Sequence, residues 1–336
     1  MKNYSNRFMA TCVPGLEFVL AAEINEKFPN ANNMAEIRGK VVFDMLSEPA
    51  DYGVLKCADN LYKLYRVFSA GVHKSDLPCI GKNISSIDFE AGESSAKKII
   101  VSVSRTGKHT YSRFDAENQI TQSLLSAGNF AQGTAENHNF ALRVDITDEI
   151  CSVYKQLTLA ETRFRGTFFQ SVPGGIRHSA AHCLVRLSFP QNTDIFYDPF
   201  CGAGTIPFER SFYKGKKIFA SDYDTGVLEK ARANLGQSAI IFEADAANTK
   251  MKECGVSKVV TNMPWGKQVK VSALEQLYSD FMRELKRILA PNGIAVILTD
   301  QTENIKNSCN VHGLSCRSLA KLSLHGLHPE VFEVKD

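Results

Sequence analysis

At 336 residues, 44% hydrophobic and 22% charged, the chain has the composition of an ordinary globular protein with room for two or three domains. No apolar run approaches the roughly 18 residues of a membrane span, and the N-terminal MKNYSNRFMATCV lacks a signal-peptide core, so the expectation is a cytoplasmic protein without membrane contact. The nine cysteines are odd in number, scattered and free of any Cys-X-X-Cys pair, which points to reduced, mostly buried thiols rather than to a zinc site.

In chain order, RFMATCV reads as a strand, Pro14 as the first turn of a helix over residues 14–28, and residues 29–45 as two strands about a turn at Arg38-Gly39. Residues 48–68 read as a second helix. Then comes the one window that breaks the charge balance. Residues 1–170 hold 19 basic and 19 acidic residues, but KKIIVSVSRTGKHTYSR, residues 97–113, has five Lys or Arg, one His and no acid. A lysine-protected strand edge accounts for such a run; so does a phosphate-binding surface. A helix at FDAENQITQSLLSAG and strand alternation over residues 137–157 follow.

From about Thr167 the pattern changes to strands alternating with helices: DIFYDPF, KKIFASDY, AIIFEAD, VSKVVTN and GIAVILTD as strands, with helices at GTIPFERSFY, TGVLEKARANLG and SALEQLYSDFMRELKRILA. Such alternation implies a parallel sheet with helices on both faces and ligands at the carboxyl ends of its strands. The tail adds two strands about a turn at Gly326 to Pro329, short enough to be antiparallel.

The strand ends carry the chemistry. YDPFCGAGT places Asp198 and Pro199 before Gly202 and Gly204, a turn that lets backbone approach a ligand; Pro207 at the third glycine position departs from a dinucleotide fingerprint. Asp222 in ASDYD lies where a carboxylate accepts ribose hydroxyls, and Asp245 in EADAA where one could take an adenine amino group. Each aspartate alone is equally a helix cap; three in series are harder to assign to chance. TNMPWG then ends the fourth strand with Asn262, whose side-chain oxygen and following backbone carbonyl suit an amine nucleophile, and with Trp265, the single tryptophan, as a stacking face. His178 and His182 stand at metal-ligand spacing, but no third ligand is visible in the sequence and no metal is expected.

Together DPFCGAGT, ASDYD, EADA and TNMPWG resemble the successive motifs of S-adenosylmethionine-dependent amino-group methyltransferases, whose signature is Asn (or Asp, Ser)-Pro-Pro-aromatic. PGGIRHSAAHCLVRL resembles the segment that encloses the methionine end of the cofactor in RNA guanine-N2 methyltransferases. IIVSVSRTGKHTYSR and FALRVDIT resemble a THUMP domain behind a ferredoxin-like one, and GLHPEVFEV the C-terminal strand of the tRNA branch. The implied fold class is α/β: a ferredoxin-like domain over residues 1–60, a THUMP domain over 61–166, and a Rossmann-like methyltransferase domain with a seven-stranded, mostly parallel sheet over 167–336.

The resemblance implies S-adenosylmethionine as cofactor, held by Gly175, Ile176, Arg177, His178, Ser179, Asp198, Pro199, Cys201, Gly202, Ala203, Gly204, Thr205, Asp222, Tyr223, Asp245, Ala246 and Asn262. It implies Asn262, Met263, Pro264 and Trp265 as the catalytic loop, with Met263 standing where the family has its first proline. A tRNA substrate, with guanosine at position six of the acceptor stem as the target, would be held through Lys97, Lys98, Arg105, Lys108 and Arg113. Ribosomal RNA as substrate, and a methylase fold kept for RNA binding without turnover, are the competing readings. No apolar stripe demands a protein partner.

Overall fold

The computed structural model describes residues 6–89, 97–158, 165, 169–265, 271–324 and 326–336. The expected boundary at Thr167 lies outside the described residues.

The first half is built on one eight-stranded sheet. Its strands are β1 (Arg7–Thr11), β2 (Asn32–Ile37), β3 (Lys40–Asp44), β4 (Asn60–Ser69), β5 (Lys97–Thr106), β6 (Phe130–Gln132), β7 (Phe140–Thr147) and β8 (Ile150–Gln156), in the order β2-β3-β1-β4-β8-β7-β5-β6. Helices α1 (Glu17–Lys27), α2 (Leu77–Ser85) and α3 (Arg113–Ser126) pack on it. The helix expected from Pro14 starts at Glu17 instead, because Gly15 adopts φ +103 and turns the chain, while the Glu17 carboxylate accepts the Gly15 N–H at 2.9 Å. Helix α3 opens with a reciprocal cap: Ser112 accepts the Asp115 N–H at 3.1 Å and Asp115 accepts the Ser112 N–H at 2.8 Å.

The expected helix over residues 48–68 is not formed. Its second half is β4, paired with β1 on one edge and with β8 on the other. Occupying both edges of a strand outweighs local propensity, and a register shift between Leu64 and Arg66 breaks the alternation that would have marked the strand in the sequence. β4 therefore joins the segments on either side of residue 60 into a single sheet.

The second half carries a seven-stranded sheet of β9 (Ile195–Asp198), β10 (Lys217–Asp222), β11 (Ile240–Glu243), β12 (Val256–Asn262), β13 (Leu289–Thr299), β14 (Ser315–Lys321) and β15 (Glu330–Lys335), in the order β11-β10-β9-β12-β13-β15-β14. The first five are parallel, and β15 runs antiparallel to both β13 and β14, as expected of the tail. Helices α4 (His178–Leu187), α5 (Thr205–Arg210), α6 (Thr225–Leu235), α7 (Val271–Ile288) and α8 (Thr302–His312) cover its faces. Strand order reverses between β9 and β12, which opens a crevice at their carboxyl ends.

The two halves share a core. Phe8, Leu16, Leu20 and Val41 of the first sit in one buried cluster with Ala181, Leu184, Phe196 and Leu298 of the second. Polar ties reinforce the seam: Arg186 donates to Glu26 at 2.9 Å and Ser179 to Asp59 at 2.6 Å.

Candidate functional site

Asp198 closes β9, Asp222 closes β10, Asp245 follows β11 and Asn262 closes β12, and all four line one cleft of about 890 Å³. Gly175, Ile176, Pro199, Cys201, Gly202, Ala203, Thr205, Tyr223, Ala246, Met263, Pro264 and Trp265 line it too. Gly204 does not reach the cleft. At φ +85 it caps α5, and a Cβ there would stand 2.7 Å from Leu235 Cδ1 of α6, so it serves helix packing.

Asp198 is 1% exposed and bridges the crevice. Its Oδ1 accepts from Thr261 of β12 at 2.7 Å and from the Phe200 N–H at 3.2 Å. Its Oδ2 is buried and has no hydrogen-bond partner among the described residues. Burial pushes the carboxyl up to about 7, with the nearby Asp222 charge acting in the same direction. A buried acceptor at the floor of a cleft fits a cationic ligand group, which would both pair with it and restore its ionisation. Asp222 accepts the Gly202 N–H at 3.0 Å and the Asp224 N–H at 3.2 Å, which ties the glycine turn to the end of β10 and aims the carboxylate into the cleft. Asp245 accepts the Ala247 N–H at 2.9 Å and lies exposed at the rim. Burial raises the Cys201 thiol far above its ordinary range, so it is a neutral packing group and no nucleophile.

In the TNMPWG turn the Asn262 Oδ1 accepts the Trp265 indole N–H at 3.1 Å. A carboxamide oxygen has two lone pairs, so this bond orients the amide and leaves one acceptor site. Trp265 is half-buried, packs against the core shared by the two halves and also lines the cleft. The Met263 side chain is fully buried in the core beneath α7, with Leu274, Tyr278 and Phe281; what it presents to the site is backbone.

Arg177, His178 and Ser179 lie apart from the main cleft. They line a smaller cavity of about 250 Å³ that shares Val172, Gly175, Ile176 and Thr205 with it. Ser179 and Arg177 are bound to Asp59 of the first half, at 2.6 and 3.5 Å. His178 and His182 face a group the sequence reading missed: Glu209, fully buried on α5, accepts from both rings at 2.7 and 2.9 Å. Arg165 completes the cluster at 2.9 Å. The fold does bring further potential ligands to His182, since Glu23, Cys57 and His182 offer atoms within 4.8 Å of one another. Both ring nitrogens of His182 are already engaged, by Glu209 and by the Tyr213 hydroxyl at 2.8 Å, and Glu23 accepts the Lys56 and Cys57 N–H groups. The cluster is organised as a hydrogen-bonded joint. Its only sequence signal was the spacing of the two histidines; a carboxylate one helix later was the missing part.

The basic window is split along β5. Lys97 and Lys98 stand at its start; Arg105, Lys108 and Arg113 stand at or beyond its end, with about 26 Å between Lys97 and Arg105 at the rise of a strand. Pairing fixes which end is which. Ile99 aligns with Phe140, Leu142 with Lys155, Gln156 with Tyr62, and Asn60 with Thr11, so Lys97 and Lys98 lie at the sheet end that carries Asp59 and meets the second half.

A switch-point crevice in a mostly parallel seven-stranded sheet, lined by an acid on each of three successive strands and by Asn-Met-Pro-Trp on the fourth, defines a methyltransferase domain. Residues 165–330 match the family described as "RMKL-like, methyltransferase domain", and this half of the chain belongs to it. The chain is 26% identical over 287 residues to bovine "tRNA (guanine(6)-N(2))-methyltransferase THUMP3", covering 76% of this chain and 56% of that one. It is 22% identical over 348 residues to "tRNA (guanine(6)-N2)-methyltransferase" of Archaeoglobus fulgidus, covering 92% and 87%. It thus spans about half the length of the mammalian relative and most of the archaeal one. Among solved structures, TrmN from Thermus thermophilus superposes with a TM-score of 0.83 at 24% identity, over 98% of this chain and 99% of that one. SMU.472 complexed with SAH superposes with a TM-score of 0.73 at 14% identity, over 98% and 97%. Both halves of the fold are therefore shared, in one arrangement, with known structures.

Proposed function

We propose that this chain transfers a methyl group from S-adenosylmethionine to the exocyclic N2 amine of a guanosine in tRNA, with position six of the acceptor stem as the target. The observation that carries the reading is Asn262 at the switch point, across the crevice from a buried carboxylate with an unmatched oxygen. The names of the bovine and archaeal relatives support the substrate, and the TrmN-like fold across both halves supports an RNA-binding first half in front of the catalytic one. Within that half we propose the ferredoxin-like unit at 1–60 and the THUMP unit at 61–166, joined through β4.

The bound cofactor supplies a sulfonium methyl group as electrophile. Asp198 Oδ2 would accept from its ammonium group and Asp222 from its ribose hydroxyls, with Asp245 and Tyr223 of the same cleft left to hold the adenine. The target guanine is flipped out of its pair to reach the pocket and stacks on Trp265. The free acceptor site on Asn262 Oδ1 and the Met263 carbonyl take the two amine hydrogens, which points the nitrogen lone pair at the methyl carbon. The amine so placed would take the methyl group from sulfur, leaving a neutral thioether, and would release its extra proton to solvent. Alignment of the reacting atoms supplies most of the rate.

Nucleoside analysis of tRNA and rRNA from a deletion strain tests the reading, together with transfer of a tritiated methyl group by the purified protein. Loss of N2-methylguanosine from tRNA alone, and at least a hundredfold loss of transfer in Asn262→Ala, are expected. Unchanged tRNA with an altered rRNA nucleoside would move the substrate; cofactor binding without transfer to any RNA would overturn the activity.

A further inference from the structure

The catalytic loop departs from its family signature at Met263, which lacks the ring that stiffens the first proline position. Two features of the structure take over that stiffening. The Met263 N–H donates to the Leu298 carbonyl at 3.0 Å, which extends the β12–β13 ladder one residue past Asn262; a proline has no N–H to make that bond. On the other side of the loop, the buried Tyr278 hydroxyl of α7 donates to the Pro264 carbonyl at 3.1 Å.

Counting hydrogens fixes the direction of the chain behind it. The Tyr278 hydroxyl also bonds the Thr299 hydroxyl, and its single hydrogen is spent on Pro264, so Thr299 is the donor. Thr299 in turn accepts the Gln301 N–H at 2.9 Å. A one-way relay thus runs from the Gln301 amide through Thr299 and Tyr278 to the Pro264 carbonyl. In a buried setting each bond polarises the next. Tyr278 does not line the cleft, and its aromatic ring is already held by Phe281, Leu274 and Met263 in the core. Its hydroxyl accepts from Thr299 and donates to Pro264, and so holds the peptide that joins Pro264 to Trp265, next to Met263.

We propose that Tyr278 is a positioning residue for methyl transfer, whose hydroxyl, with the Met263 N–H, replaces the rigidity of the missing proline and fixes where the Met263 carbonyl points. The inference rests on the methyl-transfer reading of Asn262. Tyr278→Phe keeps the ring and removes the hydroxyl. The expected result is a fall in kcat of tenfold or more, with the KM for tRNA and the cofactor affinity by calorimetry unchanged. Because Trp265 is the only tryptophan in the chain, its fluorescence reports on this loop alone. Acrylamide quenching should rise and anisotropy fall in Tyr278→Phe, and Thr299→Val, which removes the donor behind Tyr278, should move both in the same direction by less. Wild-type kcat together with wild-type quenching in Tyr278→Phe overturns the proposal. A wild-type protein that binds cofactor but transfers no methyl would instead sink the functional reading, while the quenching measurement would still decide whether Tyr278 holds the loop.

Discussion

Arg165 and Glu209 form an ion pair at 2.9 Å in which the guanidinium is 3% exposed and the carboxylate not at all. The same guanidinium donates to the Lys56 carbonyl of the first half at 2.6 Å, and the same carboxylate holds both histidines of α4. The pair therefore locks the first half, the segment leading into the second half and helix α4 to one point. Burial alone would raise the Glu209 carboxyl; the His178 and His182 hydrogen bonds and the Arg165 charge outweigh it and hold the group at about 2. A carboxyl lowered in the folded state contributes stability that is full above its ordinary value near 4.5 and is lost as pH falls toward 2. Glu209→Ala leaves a buried guanidinium and two rings without their acceptor. It should cost about 3 to 5 kcal/mol by denaturant titration at pH 7 and flatten the acid limb of the stability profile. An unchanged midpoint at pH 7 would show that the joint carries no load.

Asp198 behaves in the opposite sense. Its carboxyl is raised from 3.8 to about 7, so the folded, cofactor-free protein holds a proton that the unfolded chain has already released. Its contribution to stability is therefore present at low pH and declines as pH rises from about 4 to 7. Asp198→Asn keeps an acceptor for Thr261 and removes the ionisation. Thermal unfolding of the cofactor-free variant should lose this part of the pH dependence and gain stability at pH 7, while calorimetry should show S-adenosylmethionine binding weakened by about tenfold or more, the loss of one charge-assisted hydrogen bond. Wild-type affinity should climb with pH through 7. Equal affinity in the variant would remove Asp198 from the cofactor site.

Gly204 and Gly236 separate two costs that a sequence cannot distinguish. Both have positive φ, +85 and +51, but a Cβ on Gly204 would meet Leu235 at 2.7 Å whereas one on Gly236 meets nothing within 4 Å. At ψ −120 Gly236 lies outside the left-handed region that other residues reach, so Gly236→Ala should cost backbone strain alone, roughly 1 to 3 kcal/mol, and leave cofactor binding alone. Gly204→Ala adds the clash at the α5–α6 contact and should cost roughly 2 to 3 kcal/mol or more, with a measurable loss of cofactor affinity as the Gly202–Gly204 turn shifts. Unchanged cofactor affinity in Gly204→Ala would mean that Leu235 simply moves aside.

The catalytic half was legible because each of its signals is local. Asp198, Asp222 and Asn262 each end a short β-rich run, and alternation of strand and helix fixes that such ends share one edge. The first half hid β4 because a register shift spoils its alternation, and its place between β1 and β8 depends on partners about 50 and 90 residues away in sequence. The joint at Glu209 was illegible for a related reason: its members come from residues 165, 178, 182 and 209, and only the two histidines share an element. Arg177, His178 and Ser179, which the resemblance assigns to the cofactor, line a cavity tied to Asp59 that shares Val172, Gly175, Ile176 and Thr205 with the main cleft, a layout that their run in the sequence does not show.

The basic window poses the remaining test, because its two ends sit at different distances from the chemistry. Lys98 is exposed and bonds Asn137 at 3.2 Å, and Lys97 lies over Phe140, both at the sheet end that meets the catalytic half. Lys108 and Arg113 are exposed at the far end. If the acceptor stem lies along β5, each end neutralises phosphates, and every lost contact should lower the dependence of log affinity on log salt by about 0.9. Lys97→Ala with Lys98→Ala, and separately Arg105→Ala with Lys108→Ala, should each raise the KM for tRNA and reduce that slope by one to two contacts, with kcat at saturating tRNA unchanged because neither end touches the cleft. A slope altered by the first pair alone would confine the RNA to the junction end; slopes unaltered by both would place the phosphate-binding surface on another face.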